Sequence, residues 1–212
     1  MNIQVKNISK QIKENIVLDH ISVEMESGHI YGLFGVNGSG KTMFMRVLSG
    51  LMLPTNGEIA VDGKILGKDI SFPPRMGLLL ENPAFIEGYT GFRNLKLLAA
   101  IRGTASDEDI CGALSDVGLD PGDKRKYRKY SLGMKQRLGI ACAIAEDPDL
   151  IILDEPFNAL DEAGIRQIES LLCELKKQGK LILLSCHNRE QMEHLADRIF
   201  VIENGRLSEN IG

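Results

Sequence analysis

Hydrophobic and polar positions alternate along the start of the chain, which is typical of strands with one buried face. Residues 2–8 and 17–25 are predicted to be strands on this pattern. The apolar run at 29–34 predicts a buried strand, and a helical run extends from about 41 to 50. Residues 58–66 resemble a hairpin because two short apolar runs flank an Asp-Gly pair. Together these elements predict an antiparallel β patch beside a second layer.

The hydrophobic period changes to a helical one after a strand-like run at 75–80. Helices are predicted at 90–101 and from Ser106 to residue 117, within an inserted helical subdomain at about 84–146. Strands that alternate with helices predict a mainly parallel sheet with helices on its faces. The predicted elements of this half are helix 134–145, strand 150–153, helix 162–177, strand 180–185, helix 189–196 and strand 198–202. We therefore expect one α/β domain over residues 1–212.

A glycine-rich loop lies between the buried strand and the first helix. Residues 35–42 fit the pattern G-x-x-x-x-G-K-[ST] in the strand–loop–helix context that a phosphate-binding loop requires. Lys41 would neutralise the β- and γ-phosphates, and the Thr42 hydroxyl would ligate Mg²⁺. The alternative is a glycine-rich turn that precedes a helix by chance. The predicted nucleotide-binding residues are Gly35, Asn37, Gly38, Ser39, Gly40, Lys41, Thr42 and Met43.

Two adjacent carboxylates, Asp154 and Glu155, follow the apolar strand at 150–153. Catalytic groups of open α/β sheets gather at the carboxyl ends of strands, so both acids should face the phosphate loop. Asp154 suits Mg²⁺ coordination, and Glu155 would be the general base that polarises the attacking water. The alternative is a solvated strand end.

Composition changes this interpretation little. A net charge of −4 argues against a protein that wraps nucleic acid. The four cysteines are scattered, which favours free thiols in a reducing compartment. The apolar runs are strand-sized and the N-terminus lacks the pattern of a signal peptide. We therefore expect a cytoplasmic protein.

Residues 130–138 resemble the signature motif of the nucleotide-binding subunits of ATP-binding cassette (ABC) transporters. Residues 158–161 are similar to the family's D-loop, which includes Asp161, and His187 lies where the family has its switch histidine. The resemblance implies a P-loop NTPase fold of the ABC type and the cofactors ATP and Mg²⁺. It also implies a head-to-tail homodimer or heterodimer in which Ser131, Gly133 and Met134 contact the ATP held by the opposite chain. His187 would contact the γ-phosphate and the attacking water.

The chain departs from the family pattern at several positions. Glu81 replaces the family's usual glutamine, a residue that senses Mg²⁺. A glutamate at this position, together with the signature at 130–134, resembles the branch of the family that serves bacitracin and lantibiotic exporters. Ile12 lies where the family stacks an aromatic residue on adenine, so weak nucleotide affinity and poor discrimination of ATP from GTP are expected. Leu132 and Met134 replace glycine and glutamine in the signature, whereas Ser131 remains.

Three functions are compatible with these residues. The main hypothesis is the ATPase subunit of an exporter, peripheral on the inner face of the membrane. A separate polytopic permease would dock on the helical insertion around 85–101, next to the Glu81 loop, and substitution of Phe85, Ile86 and Tyr89 would test this. One alternative is a soluble ABC ATPase that acts on nucleic acid or ribosomes, and another is a nucleotide sensor without hydrolysis. The basic run at 124–129 could bind anionic lipid or nucleic acid, but we interpret it as a solvated surface near the signature because the chain as a whole is acidic. No nucleic-acid partner is therefore expected.

Overall fold

The computed structural model describes residues 1–81 and 84–210 of the chain. The described part contains ten strands and six α-helices, with one 3₁₀ turn at Tyr127–Lys129. In chain order the elements are β1 (Asn2–Ile12), β2 (Asn15–Glu26), β3 (Ile30–Phe34), α1 (Lys41–Leu48), β4 (Asn56–Val61), β5 (Lys64–Ile65), β6 (Met76–Leu79), α2 (Gly91–Arg102), α3 (Asp107–Asp116), α4 (Leu132–Ile144), β7 (Leu150–Leu153), α5 (Glu162–Lys177), β8 (Leu181–Ser185), α6 (Arg189–Leu195), β9 (Arg198–Glu203) and β10 (Arg206–Asn210).

The strands form two sheets. The larger has the order β10-β9-β3-β8-β7-β6, and its strands are parallel except for β10, which runs antiparallel to β9. The smaller sheet, β2-β1-β4-β5, is antiparallel throughout. Both the mainly parallel sheet and the antiparallel patch predicted from the sequence are confirmed.

The larger sheet separates two hydrophobic cores because its strands are buried on both faces. Ile151 and Leu153 of β7 belong to the core beneath the helices, while Leu150 and Ile152 belong to the core that contains α1 and the antiparallel sheet. This alternation follows from the two-residue period of a strand. Continuous apolar runs such as β7 are therefore the signature of a sheet covered by a layer on each side.

Close packing brings helix α4 onto the edge strand β6. A Cβ added to Gly77 of β6 would lie only 1.8 Å from the carbonyl oxygen of Ala143 in α4. Glycine at this position therefore lets the helix backbone approach the strand. The helices of the predicted 84–146 insertion are α2, α3 and α4, and their grouping as a subdomain stays a prediction.

Several predicted boundaries differ from the structure. Helix α4 begins at Leu132 and not at residue 134, because the Ser131 hydroxyl accepts a hydrogen bond from the Met134 N–H and caps the helix. Strands β1 and β2 extend into a longer hairpin than predicted, and β10 was not predicted. Strand β7 and helix α5 have the predicted limits. No helix in the described part of the chain has the length and apolar character needed to cross a membrane.

Candidate functional site

A cavity of about 280 Å³ lies at the carboxyl end of the parallel strands, between the phosphate loop and the end of β7. The structure thus brings together the phosphate loop and the two adjacent carboxylates, which are far apart in the sequence. Two larger cavities, of about 640 and 600 Å³, contain none of the predicted site residues. The residues that line the site are Val17, Asn37, Gly38, Gly40, Lys41, Thr42, Met43, Asp154 and Glu155.

The phosphate loop curls tightly before α1. Gly38 and Gly40 have φ of 80° and 116°, in the left-handed region that favours glycine. Gly40 is the N-cap of α1, so the free N–H groups of the first helical turn adjoin the cavity. Such an arrangement of N–H groups at a helix N-terminus binds anionic oxygens.

Lys41 is buried at the floor of this loop, with 7% of its surface exposed. Its Nζ donates to the carbonyl oxygens of Gly35 and Val36 at 2.7 and 3.3 Å. Among the described residues no carboxylate forms an ion pair with it. Carbonyl oxygens are neutral, so they leave this side chain without a counter-charge, which an anionic ligand would supply.

The hydroxyl of Ser39 supplies a second indication of an absent ligand. Ser39 is 5% exposed, and its Oγ has no hydrogen-bond partner within the described part of the chain. Buried hydroxyls are normally paired, and an unpaired one requires an explanation. A phosphate oxygen in the loop would provide that partner.

Asp154 lies where a metal ion of the nucleotide would be held. Its carboxylate accepts hydrogen bonds from the hydroxyls of Thr42, at 2.6 Å, and Ser185, at 2.5 Å. Hydroxyl and carboxylate oxygens are the ligands that Mg²⁺ prefers. Thr42 and Asp154 therefore fit the ion, with Ser185 as the group that orients the carboxylate.

Glu155 is fixed from three directions. Its Oε2 lies 2.9 Å from Nδ1 of His187, its N–H donates to the Ser185 hydroxyl at 2.8 Å, and its carbonyl oxygen accepts from Gln136 at 3.0 Å. The residue has φ of +49°, a strained value for glutamate, as often found at functional sites. The two predicted catalytic residues are thus in contact. Ser185 and Gln136 were missed from the sequence because serine and glutamine carry no motif of their own.

The signature residues lie apart from the phosphate loop. Ser131, Gly133 and Met134 line a separate depression of about 600 Å³ together with Asp161. Asp161 caps α5 by accepting a hydrogen bond from the Gly164 N–H at 2.9 Å. Neither Ser131 nor Gly133 lines the cavity at the phosphate loop.

Arg137 ties the signature helix to its neighbours and was not identified from the sequence. Its guanidinium donates to Gln167 of α5 at 2.8 Å and to the Val117 carbonyl oxygen, and it lies 3.9 Å from the Asp161 carboxylate. This side chain therefore links α4, α5 and the end of α3.

The residues predicted at the positions that sense Mg²⁺ and stack on adenine, Glu81 and Ile12, lie outside the cavity lining. Glu81 forms an ion pair of 2.7 Å with Arg46 of α1. Ile12 is the last residue of strand β1 and its side chain is partly exposed. The cavity is lined instead by Val17 of the adjoining strand β2. The predicted role of Glu81 toward Mg²⁺ and that of Ile12 toward the adenine ring stay predictions.

Comparison with known proteins gives consistent matches. A family model described as ABC transporter matches residues 18–158. The chain is 49% identical over 205 residues to the uncharacterized ABC transporter ATP-binding protein YybJ of Bacillus subtilis, with 97% of this chain and 94% of that protein covered. It is 40% identical to the bacitracin transport ATP-binding protein BcrA of Enterococcus faecalis, with 99% and 68% covered. It is 34% identical to the lantibiotic transport ATP-binding protein SrtF of Streptococcus pyogenes, with 97% and 88% covered.

Solved structures give the same picture. The chain matches the ATP-binding subunit of an ABC transporter with a TM-score of 0.89 and 29% identity, covering 99% of this chain and 90% of that one. It also matches a dimeric ATP-binding cassette in a post-hydrolysis state bound to ADP and Pi, with a TM-score of 0.88 and 25% identity, covering 98% and 97%.

Proposed function

The chain belongs to the ABC transporter family, and on that basis we propose that its ATPase cycle drives export of a peptide antibiotic or a similar cargo through a separate membrane permease. The observation that carries the ATPase part is the cavity in which the phosphate loop, Asp154 and Glu155 meet, with His187 hydrogen-bonded to Glu155. The export part rests on similarity to proteins named for bacitracin and lantibiotic transport.

The polar side chains in and around the cavity have separate chemical tasks in this proposal. Lys41, the loop N–H groups and the unpaired Ser39 hydroxyl hold the phosphates. Thr42 and Asp154 would hold Mg²⁺, which would supply positive charge to offset that of the phosphates. Glu155 orients and polarises the attacking water, and His187, 2.9 Å away, fixes its carboxylate.

Hydrolysis in this account needs a second cassette. Ser131 and Gly133 lie outside the phosphate-loop cavity, so they reach a γ-phosphate only from an opposing chain in a head-to-tail pair. Val36, in the phosphate loop, and Leu132, in the signature, are 74% and 73% exposed. Such exposed apolar side chains at both halves of the composite site support their burial against a partner cassette. The pair is formed by two copies of this chain or by one copy and a related chain.

Glu155→Gln tests the hydrolytic role. Glutamine keeps the size of the side chain but is no base, so ATP turnover should fall at least about 100-fold. Because phosphate binding is unaffected, gel filtration should still show a dimer when ATP and Mg²⁺ are added. Unchanged turnover would exclude Glu155 as the base.

The permease would dock on the loop that precedes α2, which places the chain on the cytoplasmic face of the membrane. Phe85 is partly buried and its ring packs edge-on against Tyr127, 5.4 Å between centroids, while Arg93 covers the Tyr89 ring. Ile86 is 46% exposed and is the best contact residue of the three. Ile86→Asp should therefore weaken capture by a co-expressed permease, whereas Ile16→Asp, an exposed residue of the antiparallel sheet, should not. Equal capture of both variants would put the docking site elsewhere.

A further inference from the structure

Glu81 is held by a cation on the helix that follows the phosphate loop. Its Oε1 accepts a hydrogen bond from Nη2 of Arg46 at 2.7 Å. The side chains of Arg46 and Glu81 are 37% and 62% exposed, so this is a partly solvated ion pair. Glu81 also has φ of +57°, an unusual conformation for a residue with a Cβ. The ion pair fixes a residue whose backbone is already strained.

The position of Arg46 relates the ion pair to the metal-binding residues. Arg46 lies four residues after Thr42 in α1, so the two side chains share a face of the helix, about 6 Å apart along its axis. The loop that carries Glu81 is tied to the same place from the other side, since the Asp154 N–H donates to the Leu79 carbonyl oxygen at 2.7 Å. Glu81 is therefore paired with a residue one helical turn after Thr42, and it follows a strand that is hydrogen-bonded to Asp154.

A carboxylate at this place has an electrostatic consequence. Among the described residues that line the cavity, Asp154 and Glu155 are acidic and Lys41 is the only cation. A third negative charge on the neighbouring loop repels a triphosphate that enters the cavity. In the part of the chain that the structure describes, Arg46 is the only cation paired with Glu81.

We infer that Arg46 is a positioning residue that neutralises Glu81 and holds it beside the metal-binding residues until nucleotide with its cation enters. This inference deepens the proposed function and rests on it. Without Arg46, the Glu81 charge opposes ATP that arrives without a cation. When Mg²⁺ accompanies the nucleotide, the cation offsets the same charge, so the need for Arg46 decreases.

The test compares binding of the fluorescent nucleotide mant-ATP in EDTA and in excess MgCl₂. The four variants are Arg46→Met, Arg46→Lys, Glu81→Gln and the double variant Arg46→Met/Glu81→Gln. In EDTA, Arg46→Met should weaken binding about fivefold, the effect of leaving one partly exposed charge without its partner. In MgCl₂ the loss should be clearly smaller. Arg46→Lys should restore binding because it restores the charge.

The double variant separates a positioning role from a structural one. Arg46→Met removes a positive charge in either background, but glutamine leaves no carboxylate to be held in place, so its effect on binding should be clearly smaller in the Glu81→Gln background. An equal loss of binding in both backgrounds would overturn the inference, and so would normal binding by Arg46→Met in EDTA. If the unmodified chain binds mant-ATP in neither buffer, the proposed function itself is wrong and the inference is overturned with it.

Discussion

Gly133, the second residue of helix α4, is the signature position that the structure constrains most. A Cβ added to it would lie 2.8 Å from the carbonyl oxygen of Ala159. That contact is with backbone and cannot be relieved by a side-chain rotation. Ala159 has φ of +62°, so the segment that would have to move is already in an unfavourable conformation. We therefore expect Gly133→Ala to displace the Ala159 segment and the neighbouring Asp161.

The expected size of the effect follows from two opposing contributions. Overpacking by one methyl group costs about 1–3 kcal/mol, whereas alanine in place of glycine in a helix contributes about 0.5–1 kcal/mol of stability. The net loss is about 1 kcal/mol, which for a domain of this size lowers Tm by about 2–4 °C. Gly112 of α3 has no atom within 4 Å of an added Cβ, so Gly112→Ala should raise Tm by a similar amount.

Calorimetry and ATP turnover of both variants test this reasoning. Gly133→Ala should lose about tenfold or more in turnover, because the displaced residues belong to the predicted composite site. Its affinity for mant-ATP should be unchanged, since Gly133 does not line the phosphate-loop cavity. The reasoning is refuted if Gly133→Ala has the same Tm increase and the same turnover as Gly112→Ala.

Three further predictions concern the dimer, the acid stability and the base specificity. Leu132→Glu should abolish the ATP-dependent dimer of the Glu155→Gln chain in gel filtration, because it places a charge where a leucine is to be buried. Phe72→Glu, also at an exposed position, should leave the dimer intact. Intact dimers in both variants would contradict the proposed pairing. Burial alone would raise the pKa of Asp197, but hydrogen bonds from the Ile30 N–H and Lys176 outweigh it and leave that pKa below its ordinary value of 3.8. The resulting stabilisation is present above pH 3.8 and is lost as pH falls through the lower pKa of the folded state. In urea unfolding, Asp197→Asn should therefore lose less stability than the unmodified chain on acidification below about pH 5. Equal losses in the two chains would contradict this prediction. No aromatic side chain is among the described residues that line the cavity, so affinities for ATP and GTP should agree within about tenfold, and a preference of two orders of magnitude would contradict this.

Local motifs account for what the sequence predicted well. Residues close together in the chain specify each of three elements: the phosphate loop, strand β7 before Asp154, and helix α5. Their periodicity, capping residues and glycines agree with the final structure, so their positions could be predicted from one sequence. Glu155 and His187 were each predicted to act at this site, and both follow parallel strands of the same sheet. Their direct contact was not predicted.

Contacts between distant segments account for what was missed. Ser185 and Gln136 hold Asp154 and Glu155 from 31 and 19 residues away, and the Arg46–Glu81 pair spans 35 residues. Such partners depend on how the layers pack, and polar residues of these types occur throughout a chain. The start of α4 was missed for a different reason, since Ser131 was interpreted only as a ligand-binding residue although its hydroxyl also caps the helix.

The most direct test of the account is to purify the tagged chain from its native membranes in mild detergent and to identify the proteins that accompany it. The account predicts a polytopic membrane protein in stoichiometric amount, whose sequence would also narrow the class of cargo. Recovery of the chain in the soluble fraction, alone or with ribosomes or nucleic acid, would leave the ATPase chemistry intact but contradict the proposal that it drives transport.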